Sequence, residues 1–495
     1  MSSPVDIPFS EFIKIDRRKQ DPVYLQIVYQ FINAIQRNIL THGDKIPGSR
    51  KLSKELGIHR KTMVAALAEL EVQGWVDVKP SIGTFIKNLE ARDTPLPHHR
   101  SRFSHSSPFE FSESFVLDLP YQEHQSKSYF TDGTPDYRMI HTDELSHFYS
   151  SALRRKTTIN QIAEYSLQGN LFFRQQLSYY LNLTRGFHIS ETHLINSQSK
   201  AILLHIISQL LIREGDIILV GELSHFLPNM IFSKAGARLK TVPIDQDGVN
   251  VDYIRQHFHK GQIKFILLNS QNQYPTSYHL SQKRKEQLLA LAEEYDFIII
   301  EDDEDYELTY ERSASPPLVK FPNTDRVIYL GSFGAYLIPG FQTTFLIGPR
   351  DFIREGRKYL NIFGQIDMIK EQALGDMIRT GDIHRYRRKA LKTYHARRDV
   401  FAELLLQHLS DFITFDPPAG GLAFWVRFQK PINLVQLSGI LKEKGLFLPR
   451  TCLFQNRNTC ALRLGFGHLN EKEMKEAVTI LQSGCEMFFY SSASG

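Results

Sequence analysis

From Tyr24 the apolar positions fall at Tyr24, Ile27, Val28, Phe31, Ile32, Ile35 and Ile39, an i, i+3, i+4 stripe that predicts an amphipathic helix starting just after Pro22. The turn-rich run His42-Gly-Asp-Lys-Ile-Pro-Gly-Ser-Arg50 breaks it, with Ser49 expected to N-cap a short helix from Arg50 to Leu56. Gly57 ends that helix. A second begins near His59, with Arg60, Lys61 and Thr62 in its first turn and Val64, Leu67 and Leu70 turned inward before Gly74. The period then changes to two: Trp75-Val-Asp-Val-Lys79 reads as a strand, Pro80-Ser-Ile-Gly83 as a turn and Thr84-Phe-Ile86 as the returning strand. Two helices on a tight turn followed by a hairpin predict a helix-turn-helix with a β-wing, a shape that offers a helix to the DNA major groove.

Between about Leu89 and Asp118 periodicity disappears, and the run from Ala91 to Pro108 is rich in Pro, Ser, His and Arg, which is linker composition. His98 and His99 have no second pair at ligand spacing, so a basic tether is expected there and no metal site. From Phe130 onward, helical stripes alternate with the β-branched runs Ile217-Ile-Leu-Val220, Phe265-Ile-Leu-Leu268, Phe297-Ile-Ile-Ile300 and Val327-Ile-Tyr-Leu330. That alternation predicts an α/β domain around a mostly parallel sheet, whose ligands bind beyond the carboxyl ends of the strands. The polar clusters there are Glu222 to His225, Asn269 to Ser277, Glu301 to Glu307 and Gly331 to Gln342. The expected division is a reader over 1–88, a linker over 89–125 and a large domain over 126–490.

A chain of 495 residues exceeds the size at which single cores stop growing, in keeping with two domains. Its 42% hydrophobic and 23% charged residues are those of a soluble globular protein, and its apolar runs fall far short of the roughly 18–20 residues that span a bilayer. Met1 to Gln20 has neither an apolar core nor a small-residue cleavage site, so a cytoplasmic location is expected, with no membrane partner. Cys452, Cys460 and Cys485 share no CxxC spacing, which argues against a disulfide framework or a zinc site. Net charge is +5, and residues 1–90 carry 13 Lys/Arg against 10 Asp/Glu, a bias that permits nucleic-acid binding without requiring it.

Pro47 through Arg50, Leu52, Leu56-Gly57, His59-Arg60-Lys61-Thr62, Leu70, Gly74 and Gly83-Thr84-Phe85 together resemble the winged helix-turn-helix of the GntR family. The resemblance implies double-stranded DNA as partner. It places Arg50 and Arg60 on phosphate or a guanine edge, turns His59, Lys61 and Thr62 to the major groove, and lets the wing approach the backbone at Gly83. The chemistry agrees, because Arg reads guanine O6/N7 bidentately and a helix N-terminus favours phosphate. Lys79 is expected to be simply solvated.

From about residue 130 to 485 the chain resembles the fold-type I aminotransferase domain that is fused to GntR domains in MocR-type regulators. Matching pieces include Gly133-Thr-Pro-Asp136, Gly169 with Arg174, Gln273-Tyr-Pro-Thr276, Glu301-Asp-Asp303, Pro339-Gly340, Ala419-Gly-Gly-Leu422 and Arg463-Leu-Gly-Phe466. In that family the site holds pyridoxal phosphate (PLP) on a lysine. By the resemblance Asp302 keeps the carboxylate for the pyridinium nitrogen and Arg463 the clamp for a substrate carboxylate, but the lysine position is Ala335. A methyl group has no nucleophile, so covalent cofactor chemistry fails there. Glu304 stands where a Tyr would hold the ring hydroxyl, Gln342 where an Arg would hold phosphate, and His225 where a Tyr would stack on the ring. The Gly-rich phosphate turn reads Asn196-Ser-Gln-Ser-Lys-Ala201, in which Lys200 offers the nearest positive charge.

Three readings follow. The first is a DNA-binding regulator whose large domain dimerises and senses an amino or phosphate effector without catalysis, no residue being assigned a catalytic role. The second is a working PLP enzyme with a surrogate lysine, for which Lys320 and Lys358 lie outside the loop's spacing. The third keeps PLP as a noncovalent effector held by Asp302, Tyr274, Lys200 and Arg463, beside His225. The resemblance implies a homodimer in each case.

Overall fold

The computed structural model describes every residue except 1–8, 10–12, 17–21, 37–39, 42, 80–81, 88–106, 108, 141, 164–168, 311–315, 322–324, 364–366, 457 and 492–495. Ile39, the tip of the wing at Pro80 and Ser81, and the linker stretch containing His98 and His99 lie outside the described residues. The chain divides into two compact units, one of Met1–His124 with Asn433–Gly439 and Asn456–Asn458, the other comprising the remainder.

In the amino-terminal unit α1 (Val23–Gln36) buries Ile27, Val28, Phe31 and Ile35 on one face. They pack with Leu52, Met63, Leu67 and Leu70 from α2 (Ser49–Glu55) and α3 (Arg60–Val72) in one hydrophobic core. Two local expectations are corrected. Gly48 holds the N-cap of α2, without a side-chain hydrogen bond, and Ser49 is the first helical residue, because the backbone at Gly48 is already extended (φ −59°, ψ 153°). Val64 is 47% exposed, and the buried stripe runs Met63, Ala66, Leu67, Leu70. At 100° per residue those positions share the centre of one face, and Val64 falls at its edge. Three short strands complete the unit: β1 (Lys45–Ile46) and β2 (Val76–Lys79) both pair antiparallel with β3 (Gly83–Ile86).

The large unit is built on a seven-stranded sheet. Its strands are β4 (Leu194–Ser197), β5 (Ile217–Gly221), β6 (Arg238–Val242), β7 (Ile263–Leu268), β8 (Ile298–Asp303), β9 (Val327–Phe333) and β10 (Thr343–Ile347), in the spatial order β4-β10-β9-β8-β7-β5-β6. Four neighbouring pairs are parallel, while β10 runs antiparallel to both of its neighbours. Their β-branched runs are buried on both faces, as parallel strands covered by helices require. Helix α4 (Leu171–Arg185) precedes the sheet, α5 (Lys200–Leu211) follows β4 directly, and α6 (Phe226–Lys234) follows β5. The long α7 (Asp382–Leu409) leads to a second, antiparallel sheet of β11 (Ile413–Phe415), β12 (Ala423–Phe428), β13 (Leu453–Gln455) and β14 (Cys460–Gly465), in the order β11-β12-β14-β13. Among the described residues no helix is long and apolar enough to cross a membrane.

Candidate functional site

The first turn of α3 displays its polar residues outward: His59, Arg60 and Lys61 are exposed, Thr62 is half-buried, and Arg50 is exposed on α2. His59 also caps α3, its Nδ1 accepting from the Lys61 backbone N–H at 3.2 Å. That bond fixes the imidazole at the helix start, where the positive end of the dipole favours a phosphate. Gly57 in the turn takes φ +62°, the left-handed conformation that lets two helices meet closely. On the wing, Gly83 has φ +139°, and a Cβ there would come within 2.7 Å of Lys45 Cε. Lys45 was missed in the sequence because nothing in β1 signals that β3 will bring it alongside; the pairing sets it opposite Phe85. The ammonium groups of Lys45 and Lys79 lie 5.8 and 5.5 Å from the centre of the Phe85 ring.

The second site forms past the carboxyl ends of β8 and β9. Alternation along β8 sends Glu301 and Asp303 to one face and Asp302 to the other. Asp303 pairs with Arg185 and accepts from Tyr329 at 2.8 Å. Asp302, 5% exposed, faces the first turn of α5, where Lys200 Nζ reaches its Oδ2 at 2.8 Å and Glu304 Oε2 at 2.7 Å. Lys200 is thus held between two carboxylates, its side chain 16% exposed. Burial raises the Asp302 carboxyl above its ordinary range, whereas Lys200 holds Glu304 below it. Glu304 keeps a 54% exposed side chain, so this end of the site opens to solvent.

Arg463, on β14, is also matched from within the chain. Its Nε lies 2.7 Å from Asp132 Oδ1, and its Nη1 donates to the Pro275 carbonyl at 2.7 Å. Its guanidinium stacks 4.9 Å from the centre of the Tyr274 ring, and the Tyr274 hydroxyl donates to Asp132 Oδ2 at 2.8 Å. Asp132 was overlooked beside the Gly133-Thr-Pro-Asp136 motif, since a single Asp in a loop gives no sign of a distant arginine. His225 caps α6, accepting from Leu227 N–H at 3.2 Å, and meets the Tyr274 ring edge-on at 5.0 Å. Burial, then the charges of Lys200 and Arg463, push its imidazole down to about 4, so it is neutral near pH 7. Asp305, within the Glu301 to Glu307 cluster, is pushed up to about 6 by burial and then by Glu304.

The loop carrying Ala335 is held by Glu307, whose Oε2 accepts from the backbone N–H groups of Gly334 at 2.6 Å and Ala335 at 3.2 Å. Tyr180 donates to Oε1 of the same carboxylate at 2.9 Å. The Gln342 amide donates to the Leu337 carbonyl at 2.9 Å, closing its own loop. Lys358 is paired with Glu355 one turn away and is 66% exposed. Among the described residues no group of His, Cys, Asp and Glu has the arrangement to hold a metal ion.

A winged reader joined to an α/β body with an aminotransferase-type ligand end defines a class of two-part proteins, and comparison with known families agrees. Residues 23–86 match the bacterial regulatory proteins of the gntR family, and residues 145–481 match aminotransferase class I and II. The chain belongs to the aminotransferase class I and II family and carries a gntR-type helix-turn-helix in front of it, the arrangement of MocR- and PdxR-type transcriptional regulators. It is 22% identical to the probable rhizopine catabolism regulatory protein MocR of Rhizobium meliloti, over 95% of each chain. To the pyridoxine biosynthesis transcriptional regulator PdxR of Corynebacterium glutamicum it is 27% identical, over 88% of this chain and 89% of the other. Its fold is similar to that of the Pyrococcus horikoshii kynurenine aminotransferase, solved in complex with PMP (TM-score 0.65, 20% identity, 73% of this chain and 91% of that one).

Proposed function

We propose that this protein is a sequence-specific DNA-binding transcription regulator acting in the cytoplasm, in which residues 1–88 read DNA, 89–125 tether, and the aminotransferase-like domain dimerises and senses an effector without catalysis. Arg50, Arg60, His59, Lys61 and Thr62 engage DNA, with Gly83 and Lys45 on the wing. Exposed apolar side chains of the large unit, Leu183 and Ile362 among them, support pairing with a second copy.

One observation carries the non-catalytic reading. The ammonium of Lys200 already pairs with Oδ2 of Asp302, the carboxylate that a pyridinium nitrogen would need. The remaining residues agree with it: Ala335 offers no amine, Glu304 sets a carboxylate where a ring hydroxyl would lie, and the Gln342 amide is used within its own loop. These residues do not fit PLP, whether covalent or free.

DNA footprinting tests the regulator reading. The wild-type protein is expected to protect a discrete operator, and Arg60→Ala to weaken that protection at least tenfold, a loss of about 1–3 kcal/mol for one base-edge or phosphate contact. Equal affinity for random and selected duplexes would overturn it.

A further inference from the structure

The geometry points to an organic cation, an amine lacking a carboxylate, as the ligand of the site around Asp302 and Asp305, in place of PLP or an α-amino acid. This rests on the reading of the large domain as an effector sensor.

The arginine suited to a ligand carboxylate is already engaged. Asp132 sits 2.7 Å from Arg463 Nε and accepts from Tyr274 at 2.8 Å, so a free acid must displace a carboxylate tethered beside the clamp. A tethered group competes at an effective concentration in the millimolar range or above. Anions find no better partner at the other end, because Lys200 is shared between Asp302 and Glu304.

What the site leaves unmet is acceptor capacity. Asp302 is 95% buried by its 5% exposure, yet its Oδ1 has no hydrogen-bond partner, and neither does the buried Oδ1 of Asn272. A buried acceptor without a donor is costly, and an ammonium brings three donors. Asp305 and Asn272 meet the same loop: a Cβ at Gly421 would come 3.1 Å from Asp305 Oδ2, and at Gly420 2.9 Å from Asn272 Nδ2, so glycine at both positions lets that loop close on these polar groups. Asp305 also feels the charges of Glu304, Arg463 and Lys200, which places these groups in one electrostatic neighbourhood. Four carboxylates, Asp132, Asp302, Glu304 and Asp305, face two cations there. A cationic ligand gains from that imbalance, and an anionic one is repelled.

Thermal-shift and calorimetric titration of the full-length protein tests this, with putrescine and tyramine as amine probes, glutamate as the amino acid, and PLP and inorganic phosphate as anions. An amine is expected to raise Tm and release or absorb binding heat at concentrations where the other probes do neither. Asp302→Asn and, as a second variant should that one fold poorly, Asp305→Asn are each expected to weaken amine binding at least tenfold. Asp132→Ala is expected to free Arg463 and tighten glutamate at least tenfold, with no matching gain for putrescine. Glutamate or PLP binding the wild type as tightly as the amines overturns the inference, as does silence toward both amines at millimolar concentration. A footprint run in parallel separates the two ideas. A protected operator with no amine response sinks the ligand class alone, whereas amine binding without any footprint upholds it and sinks the regulator reading.

Discussion

Ala335 ends in a methyl group, and its loop is held by Glu307 through two backbone N–H groups, so the turn needs no lysine of the kind the resemblance would place there. Restoring that side chain alone is not enough. Ala335→Lys is expected to give no borohydride-reducible pyridoxyl adduct at position 335, because Lys200 still pairs with Asp302 and the Gln342 side chain stays bound to the Leu337 carbonyl; mass spectrometry of the reduced, digested protein checks this. Glu304, Ala335 and Gln342 were legible in the sequence as candidate substitutions because the resemblance places each at a set spacing within its run. The partners of Lys200 and Arg463 were not, since Lys200 is separated from Glu304 by 104 positions and Arg463 from Asp132 by 331. Only the tertiary fold brings them together.

At the scale of elements, the amino-terminal helices and strands were read with errors of about one residue, and each error has a local cause. Ser49 lost the cap to a glycine already in extended conformation, and Val64 was assigned inward from a three-residue step that reaches only the edge of the buried face. The wing depends on Gly83: at φ +139° a side chain is strained, and Lys45 must also give way. Gly83→Ala is expected to destabilise the wing by about 1–3 kcal/mol. Hydrogen exchange should show lost protection in β2 and β3, and DNA affinity should fall with it, while exchange in the large sheet stays as in the wild type.

For the molecule as a whole, the buried charges beneath the central sheet make stability depend on pH. Glu301 is fully buried, accepts from Ser270 and from the Leu318 N–H, and has no partner for Oε2. Burial, with Asp303 nearby, pushes its carboxyl from an ordinary 4.5 up to about 7. The folded state therefore holds a proton that the unfolded state releases. Stability from this group is full below its unfolded value and is lost as pH rises through about 7. A shift of that size corresponds to about 3 kcal/mol. Glu301→Gln keeps the neutral shape, so its Tm is expected to gain steadily on the wild type between about pH 5 and 8; thermal scans across that range decide it, and parallel curves would contradict the assignment. Lys285, pushed down to about 8 by burial, works in the opposite sense above that pH.

Hydrophobic periodicity and local spacing determined the reader and the α/β class of the body, because each is written in neighbouring residues. Which groups of the ligand site are already matched was decided by tertiary structure alone. Strand alternation turns Asp302 toward Lys200, and the Thr131 carbonyl, accepting from the Gly465 N–H at the end of β14, sets Asp132 beside Arg463. Charges separated along the chain find their partners only when folding removes the water between them, and no local pattern records that outcome.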